Sequence, residues 1–131
     1  MASFNPADYE TVEQRIKRFT AEHPDGRIIT EDLTTLQDRA VSTWRVKTTI
    51  YLNREDQLLG LAKATGHAFE VDGAGMANKT SAWENAETSS IGRALANMAM
   101  SGNKRTSREE MNKVASGVTP APLDWIRVAE D

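Results

Sequence analysis

Residues 79–102, KTSAWENAETSSIGRALANMAMSG, constrain the fold of this chain more than any other stretch. Apolar residues recur along them at helical spacing, and alanine, serine and glycine fill many of the positions between. Ser81 and Glu84 have the spacing of a capping box, and Gly102 is a typical helix stop. The pattern predicts one long central helix, whose small side chains allow a sheet or a second helix to approach closely.

Gly92 lies in the interior of this predicted helix. Glycine there costs about 1 kcal/mol relative to alanine, so its presence needs a reason. Two explanations suit it: close packing of the helix against another element, or room for the backbone of a ligand. The residues alone favour a core helix with a glycine for packing.

The bulk composition narrows the classes of function. The net charge of −3 is less typical of a nucleic-acid binder, although the local distribution of charge decides such binding. The chain has no cysteine, which excludes disulfides and thiolate metal sites. It has no metalloprotease, P-loop or nucleophile-elbow motif, so we expect no enzyme, no catalytic residue, no cofactor and no metal.

The distribution of apolar residues gives no sign of a membrane or export segment. No apolar run approaches the length that spans a bilayer, and the N-terminus lacks the pattern of a signal peptide. We therefore expect a cytoplasmic protein with no membrane partner.

Before the central helix, the periodicity predicts one helix and about three strands. Residues 5–22 have an apolar helical face formed by Tyr9, Val12, Ile16 and Phe19, and Arg15 falls among the charged residues of a solvated face. Residues 27–37 and 40–53 are predicted strands. After a turn residues 57–65 return antiparallel, with residues 66–71 as a short continuation. The expected fold is α+β: an N-terminal helix and an antiparallel β-meander packed on the long central helix.

The best predicted strand, residues 40–53, has two different faces. One face is apolar and is formed by Trp44, Val46, Ile50 and Leu52, while the residues between them form a second, polar set on the other face. The second set allows two interpretations, a solvent-facing surface or a nucleic-acid surface with cations for phosphates and a ring for stacking. Its members are Arg45, Lys47, Thr49 and Tyr51.

The C-terminal part combines a short helix with a tail. Ser107 and Glu110 form a second capping-box pattern, which opens a helix through about Val114. We expect residues 1–115 to form one domain and residues 116–131 to form a linker with an apolar-acidic tail. Such a tail can dock on its own domain, on a neighbouring subunit or on another protein.

The order of helix, hairpin, glycine-containing loop and small-residue helix resembles phage single-strand annealing proteins of the ERF type. More distantly, it resembles the annealing domain of the eukaryotic Rad-group recombination proteins. The resemblance covers residues 6–102 and is strongest in the run ENAETSSIGRALA, while the hairpin of residues 41–65 fits in length and pattern.

This resemblance implies a β-β-β-α core that assembles side by side into a ring or helical filament. Single-stranded DNA would lie in a positive groove outside the oligomer and be annealed without ATP. A single-strand binding protein or an exonuclease is a further possible partner, through the C-terminal tail. The predicted DNA-binding residues are Arg93, which matches the family most directly; Arg45, Lys47 and Tyr51 on the hairpin; Lys79 at the helix start; and, from charge alone, Lys104 and Arg105.

Two other readings stay open from the sequence. The acidic balance and the apolar-acidic tail suit an oligomeric structural or protein-interaction module without nucleic-acid activity. A small enzyme would need paired carboxylates in a pocket that separates their pKa values. The available carboxylates are Asp32, Asp38, Glu84 and Glu87, and the sequence shows no such pocket for them.

Overall fold

The computed structural model of the chain describes residues 5–73, 81–102 and 104–116. A short 3₁₀ helix at Pro6–Asp8 precedes the main elements. These are, in chain order, α1 Val12–Glu22, β1 Arg27–Asp32, α2 Leu36–Ala40, β2 Thr43–Tyr51, α3 Arg54–Leu58, β3 Ala64–Val71, α4 Ala82–Asn97 and α5 Arg108–Ser116. None of the described helices is long and apolar enough to cross a membrane. Of the predicted linker and tail, residues 116–131, only Ser116 is described, as the last residue of α5.

The three strands form one antiparallel sheet in the order β1-β2-β3. Ile50 of β2 pairs with Ile28 of β1 and Ala64 of β3, and Thr48 pairs with Thr30 and Gly66. The alternation of β2 therefore continues across the sheet, with one apolar face and one polar face. This arrangement confirms the predicted α+β fold, a three-stranded meander packed on one long helix.

Helix α4 lies on the apolar face at close range. The Thr48 and Ser90 hydroxyl oxygens are 2.6 Å apart, and Thr30 Oγ1 donates to Glu87 Oε2 at 2.7 Å. A Cβ on Gly66 would lie 2.4 Å from the Ala94 backbone nitrogen, so β3 and α4 touch through their backbones. The small residues of α4 make this approach possible, as their abundance in the sequence predicts.

Helix α1 packs on α4 from the side opposite the sheet. Phe19 of α1 is buried with Ile50 of β2 and Leu95 of α4 in the hydrophobic core. Where α1 meets the middle of α4, a Cβ on Gly92 would lie 2.7 Å from Val12 Cγ2. Gly92 thus serves close packing between two helices, the first of the two explanations given above.

Arg15 is a correction to the sequence analysis, which placed it on the solvated face of the first helix. Its side chain is 0% exposed. Nε donates to Glu10 Oε1 at 3.0 Å, and the other nitrogens donate to the carbonyl oxygens of Gly92, Lys104 and Arg105. Because the charge is paired and its donors are used, this burial is possible. Arg15 therefore joins α1, α4 and the segment that leads to α5.

Helix α5 folds back over the start of α1. Glu110 accepts from the Ser107 backbone amide and the Ser107 hydroxyl accepts from the Glu110 amide, which confirms the predicted second capping box. Both carboxylate oxygens of Glu109 accept from the Val12 amide at 3.1 Å. This acidic group at the N-terminus of α1 complements the helix dipole there.

Other local predictions differ from the structure. Helix α1 begins after Thr11, whose capping box with Gln14 starts a new helix, while Asn5 caps only the 3₁₀ turn. Ser81 is the N-cap of α4 but makes no side-chain capping bond. The return strand was predicted to begin too early, at residue 57, because Asn53 caps the short helix α3 there. The strand runs from Ala64 to Val71 and includes the predicted continuation over residues 66–71.

Candidate functional site

The face of the sheet opposite α4 carries the polar parity of β2. Because α4 lies against Thr30, Thr48 and Gly66, the residues between them in each strand point away from α4. We call this surface the open face. By strand register its residues include Arg27, Ile29, Glu31, Arg45, Lys47, Thr49, Tyr51, Thr65, His67 and Phe69.

Cross-strand pairs arrange the open face in rows. Arg45 pairs with Phe69 of β3, and its guanidinium carbon lies 5.6 Å from the centre of the Phe69 ring. In the next row Lys47 stands between Glu31 and His67. A cation over an aromatic face at this distance is a favourable contact. The open face thus combines cations with rings on neighbouring strands, and Glu31 is an acidic group beside them.

Asp38 of α2 holds the Arg45 side chain. Arg45 Nε donates to Asp38 Oδ2 at 2.8 Å, although the Arg45 side chain is 47% exposed. Asp38 is buried and also belongs to the capping box of α2, accepting from the Thr35 amide at 3.0 Å. The Thr35 amide lowers the pKa of Asp38 most, burial opposes this effect, and Arg45 lowers the pKa further. The carboxylate is therefore kept charged next to the guanidinium.

The other predicted basic residues lie on the helical side of the sheet. Arg93 of α4 donates to Glu110 Oε2 of α5 at 2.9 Å, and its side chain is 50% exposed. Arg105 donates to the Ala96 carbonyl oxygen at 3.0 Å and also contacts Asn97 Oδ1. Lys104 is exposed, with its ammonium 6.0 Å from the centre of the Tyr9 ring. These three cations are thus separated from the open face by the sheet.

The structure accordingly divides the predicted site residues into two surfaces. Arg45, Lys47 and Tyr51 share the open face, whereas Arg93, Lys104 and Arg105 do not reach it. Lys79 lies outside the described residues.

Sequence reasoning considered Asp38 only as a carboxylate of the enzyme hypothesis and assigned no site role to His67 or Phe69. Asp38 is seven residues from Arg45, and no local motif links them. The alternation of the run GHAFEV, the predicted strand continuation, places His67 and Phe69 on one parity and was the signal available for them.

The acidic side chains in the described ranges do not gather into a metal site. None of the described histidine, aspartate and glutamate side chains form a group of three or more that suits a metal ion. Asp38 is bound to Arg45 and Glu87 accepts from Thr30, which accounts for two of the four carboxylates of the enzyme hypothesis.

Comparison with known proteins gives one match. The model of the family described as Slr1353 N-terminal dsRNA-binding domain-like matches residues 16–98, from α1 through α4. No curated protein and no solved structure matches the chain. Since the match spans more than half of the 131 residues and includes the whole sheet, the chain belongs to the Slr1353 N-terminal dsRNA-binding domain-like family.

Proposed function

We propose that this protein binds nucleic acid and that its open face takes a single strand. The observation that carries the proposal is that Arg45, Lys47 and Tyr51 follow one another along β2 on the face that α4 leaves uncovered. The description of the family, which names a double-stranded-RNA-binding domain-like unit, supports a nucleic-acid ligand in general.

The chemistry of the open face suits an unpaired strand. Arg45 and Lys47 are two residues apart on β2, so their charges follow the strand at a spacing of about 7 Å. Exposed bases of a single strand can stack on an aromatic ring, which the paired bases of a duplex cannot. Tyr51 and Phe69 offer such rings beside the cations.

The finer proposal is ATP-independent annealing of complementary DNA strands in phage-type recombination, by a ring or filament of this chain. Its support is the resemblance of residues 79–102 to the ERF-type proteins. A strand held by its phosphates leaves its base edges free for pairing, which reduces the entropic cost of finding the complement. A single-strand binding protein or exonuclease would meet the assembly through the C-terminal tail, residues 123–131.

A second candidate ligand is double-stranded RNA, which the family description names. Shape recognition of a duplex depends on phosphate and ribose contacts, for which a protein needs an exposed basic surface. The exposed positions of α1 carry Glu13, Lys17 and Glu22, a mixture of signs. Helix α1 therefore offers a duplex no uniformly basic surface, and the exposed cations on the helical side that could contact one include Arg93, Lys104 and Arg105.

The alternative without nucleic acid is an oligomeric interaction module. Leu58, Leu59 and Leu61, which surround the end of α3, are 74%, 65% and 58% exposed. Exposed apolar groups in such a cluster are typical of protein contacts. Self-association without binding of any nucleic acid at low salt would favour this function.

The test is a binding titration of labelled single-stranded DNA, single-stranded RNA and double-stranded RNA over a range of salt concentrations. We expect single strands to bind most tightly, and Arg45→Ala and Lys47→Ala each to reduce the salt slope by about 0.7, as for one lost phosphate contact. Lys17→Ala, which removes an exposed lysine from α1, is the matched control and should leave the slope unchanged.

Two results would contradict the proposal. Equal losses of affinity for Lys17→Ala and Lys47→Ala would mean that the open face is not the binding site. Tighter binding of the RNA duplex than of the single strands would favour double-stranded RNA as the ligand. Annealing itself is measured with two complementary oligonucleotides labelled for energy transfer, without nucleotide, and the finer proposal fails if the protein does not exceed the spontaneous rate.

A further inference from the structure

We propose that Asp38 is a positioning residue that holds the Arg45 guanidinium against the Phe69 ring, so that it is ready to contact a nucleic-acid strand. This inference rests on the proposed function of the open face. It assigns a role in binding to an acidic residue of α2, which lies outside the strand that carries Arg45 and Lys47.

The geometry leaves part of the guanidinium free. Asp38 Oδ2 accepts from Nε of Arg45, and no other side-chain acceptor contacts Arg45 among the described residues. The two terminal nitrogens of arginine form the fork that recognises phosphate oxygens with paired hydrogen bonds. Binding through Nε therefore fixes the side chain without using that fork.

Asp38 itself is held from two sides. Its carboxylate accepts from the Thr35 amide, and its own amide donates to the Thr35 hydroxyl at 3.0 Å. Because it is buried and part of the capping box, it cannot follow a mobile arginine outward. Phe69 limits Arg45 from the β3 side at 5.6 Å. A side chain restrained in this way loses less conformational entropy when it binds.

Two physical effects of Asp38 on a bound strand have opposite signs. As a negative charge near a basic surface, it should weaken the attraction of phosphates. As a positioning group, it should strengthen the contact that Arg45 makes. Removal of its charge therefore separates the two roles by the direction of the change in affinity.

The experiment is a double-mutant cycle of Asp38→Asn and Arg45→Ala, with single-stranded DNA as the probe. We expect Asp38→Asn to weaken binding about tenfold and to reduce the salt slope by about 0.7, because one charge-assisted phosphate contact is lost. In the Arg45→Ala background the same substitution should change the affinity less than twofold, since residues that act through one contact are not additive.

Thr35→Ala is the control for the cap, because it removes the acceptor for the Asp38 amide and leaves the carboxylate on Arg45. Because the contacts of the Asp38 carboxylate with Arg45 and with the Thr35 amide remain, we expect Thr35→Ala to lose much less affinity than Asp38→Asn. Circular dichroism of each variant verifies that the fold is kept. Should Asp38→Asn fail to fold, Asp38→Glu tests the same point, because it keeps the charge but displaces the carboxylate from Arg45 Nε and should also lose affinity.

The outcomes distinguish this inference from the proposed function. Tighter binding by Asp38→Asn, or an equal loss with and without Arg45, would overturn the positioning role while the open face remained the site. No binding by the unmodified chain, or unchanged binding by Arg45→Ala, would overturn the proposed function and this inference with it.

Discussion

The hydroxyl groups of Thr48 on β2 and Ser90 on α4 form a fully buried hydrogen bond of 2.6 Å between the sheet and its helix. Ser90 Oγ also donates to the Glu87 carbonyl oxygen at 2.8 Å. The hydrogen of Ser90 is therefore used within α4, and Thr48 is the donor of the contact across the layers. The two residues have the same kind of side chain but different roles.

This assignment predicts unequal effects on stability. Ser90→Ala leaves the buried Thr48 hydroxyl without its acceptor, so we expect a loss of about 1–3 kcal/mol in the free energy of unfolding. Thr48→Val removes the donor but leaves Ser90 bound to Glu87, so we expect a smaller loss of about 1 kcal/mol. Urea denaturation of both single variants and of the double variant measures the difference. A larger loss for Thr48→Val would contradict the assigned direction of donation.

Gly66 should not accept even a methyl group. Its added Cβ would lie 2.4 Å from Ala94 N and 2.8 Å from the Ser90 carbonyl oxygen, and both are backbone atoms of α4. Because these atoms cannot turn aside, we expect Gly66→Ala to cost about 2 kcal/mol or more in unfolding free energy. Gly102→Ala is the control, since its Cβ would meet the Glu10 side chain at an ordinary 3.7 Å. Similar stabilities of the two variants would show that β3 and α4 lie farther apart.

Arg15 and Arg18 both donate to Glu10, but we expect very different costs when each is replaced. Arg15→Met removes the donor for three carbonyl oxygens and for a mostly buried carboxylate, so the expected loss is about 3–5 kcal/mol. Arg18→Met removes a partly exposed partner, so the expected loss is below about 1 kcal/mol. Thermal unfolding at neutral pH measures both values. Equal losses would mean that Arg15 is not the residue that joins α1 to α4.

The pKa of Asp38 gives stability a defined dependence on acid. Its folded-state pKa lies below the ordinary value of 3.8, so its contribution is fully present above about pH 5 and is lost as pH falls through the folded pKa. The stability difference between the unmodified chain and Asp38→Asn should therefore shrink on acidification below this range. Denaturation midpoints between pH 2.5 and pH 7 test this, and a difference that grows at low pH would contradict it.

Arg93 and Glu110 allow a test of DNA contact on the helical side. If Arg93 contacts phosphates, Arg93→Ala should weaken single-strand binding about threefold to tenfold, as expected for one charged contact. Glu110→Gln breaks the same exposed ion pair but keeps the arginine, so it should strengthen binding. Anisotropy titrations compare the two variants. Weaker binding by both would mean that the pair acts only by holding α5 on α4.

Local patterns were sufficient for much of the fold. The alternation in β2 predicted both of its faces, and Ser107 and Glu110 predicted the start of α5, because period and capping depend on residues close in sequence. The small residues of α4 predicted a close neighbour. The leucines at 59 and 61 misled the strand prediction. A cap at Asn53 and the left-handed Gly60 turn the chain there and leave these side chains exposed.

The sequence by itself determined which side chains share each face of the central strand and that a helix with small side chains covers one of them. That helix ends at Asn97, before the stop predicted at Gly102. Only the tertiary structure decided that Arg15 is buried, that Asp38 holds Arg45, and that Arg93 and Arg45 lie on opposite sides of the sheet. The reason is physical: periodicity fixes the direction of a side chain relative to its own element. Burial, ion pairing and the grouping of charges depend on which distant element packs against it.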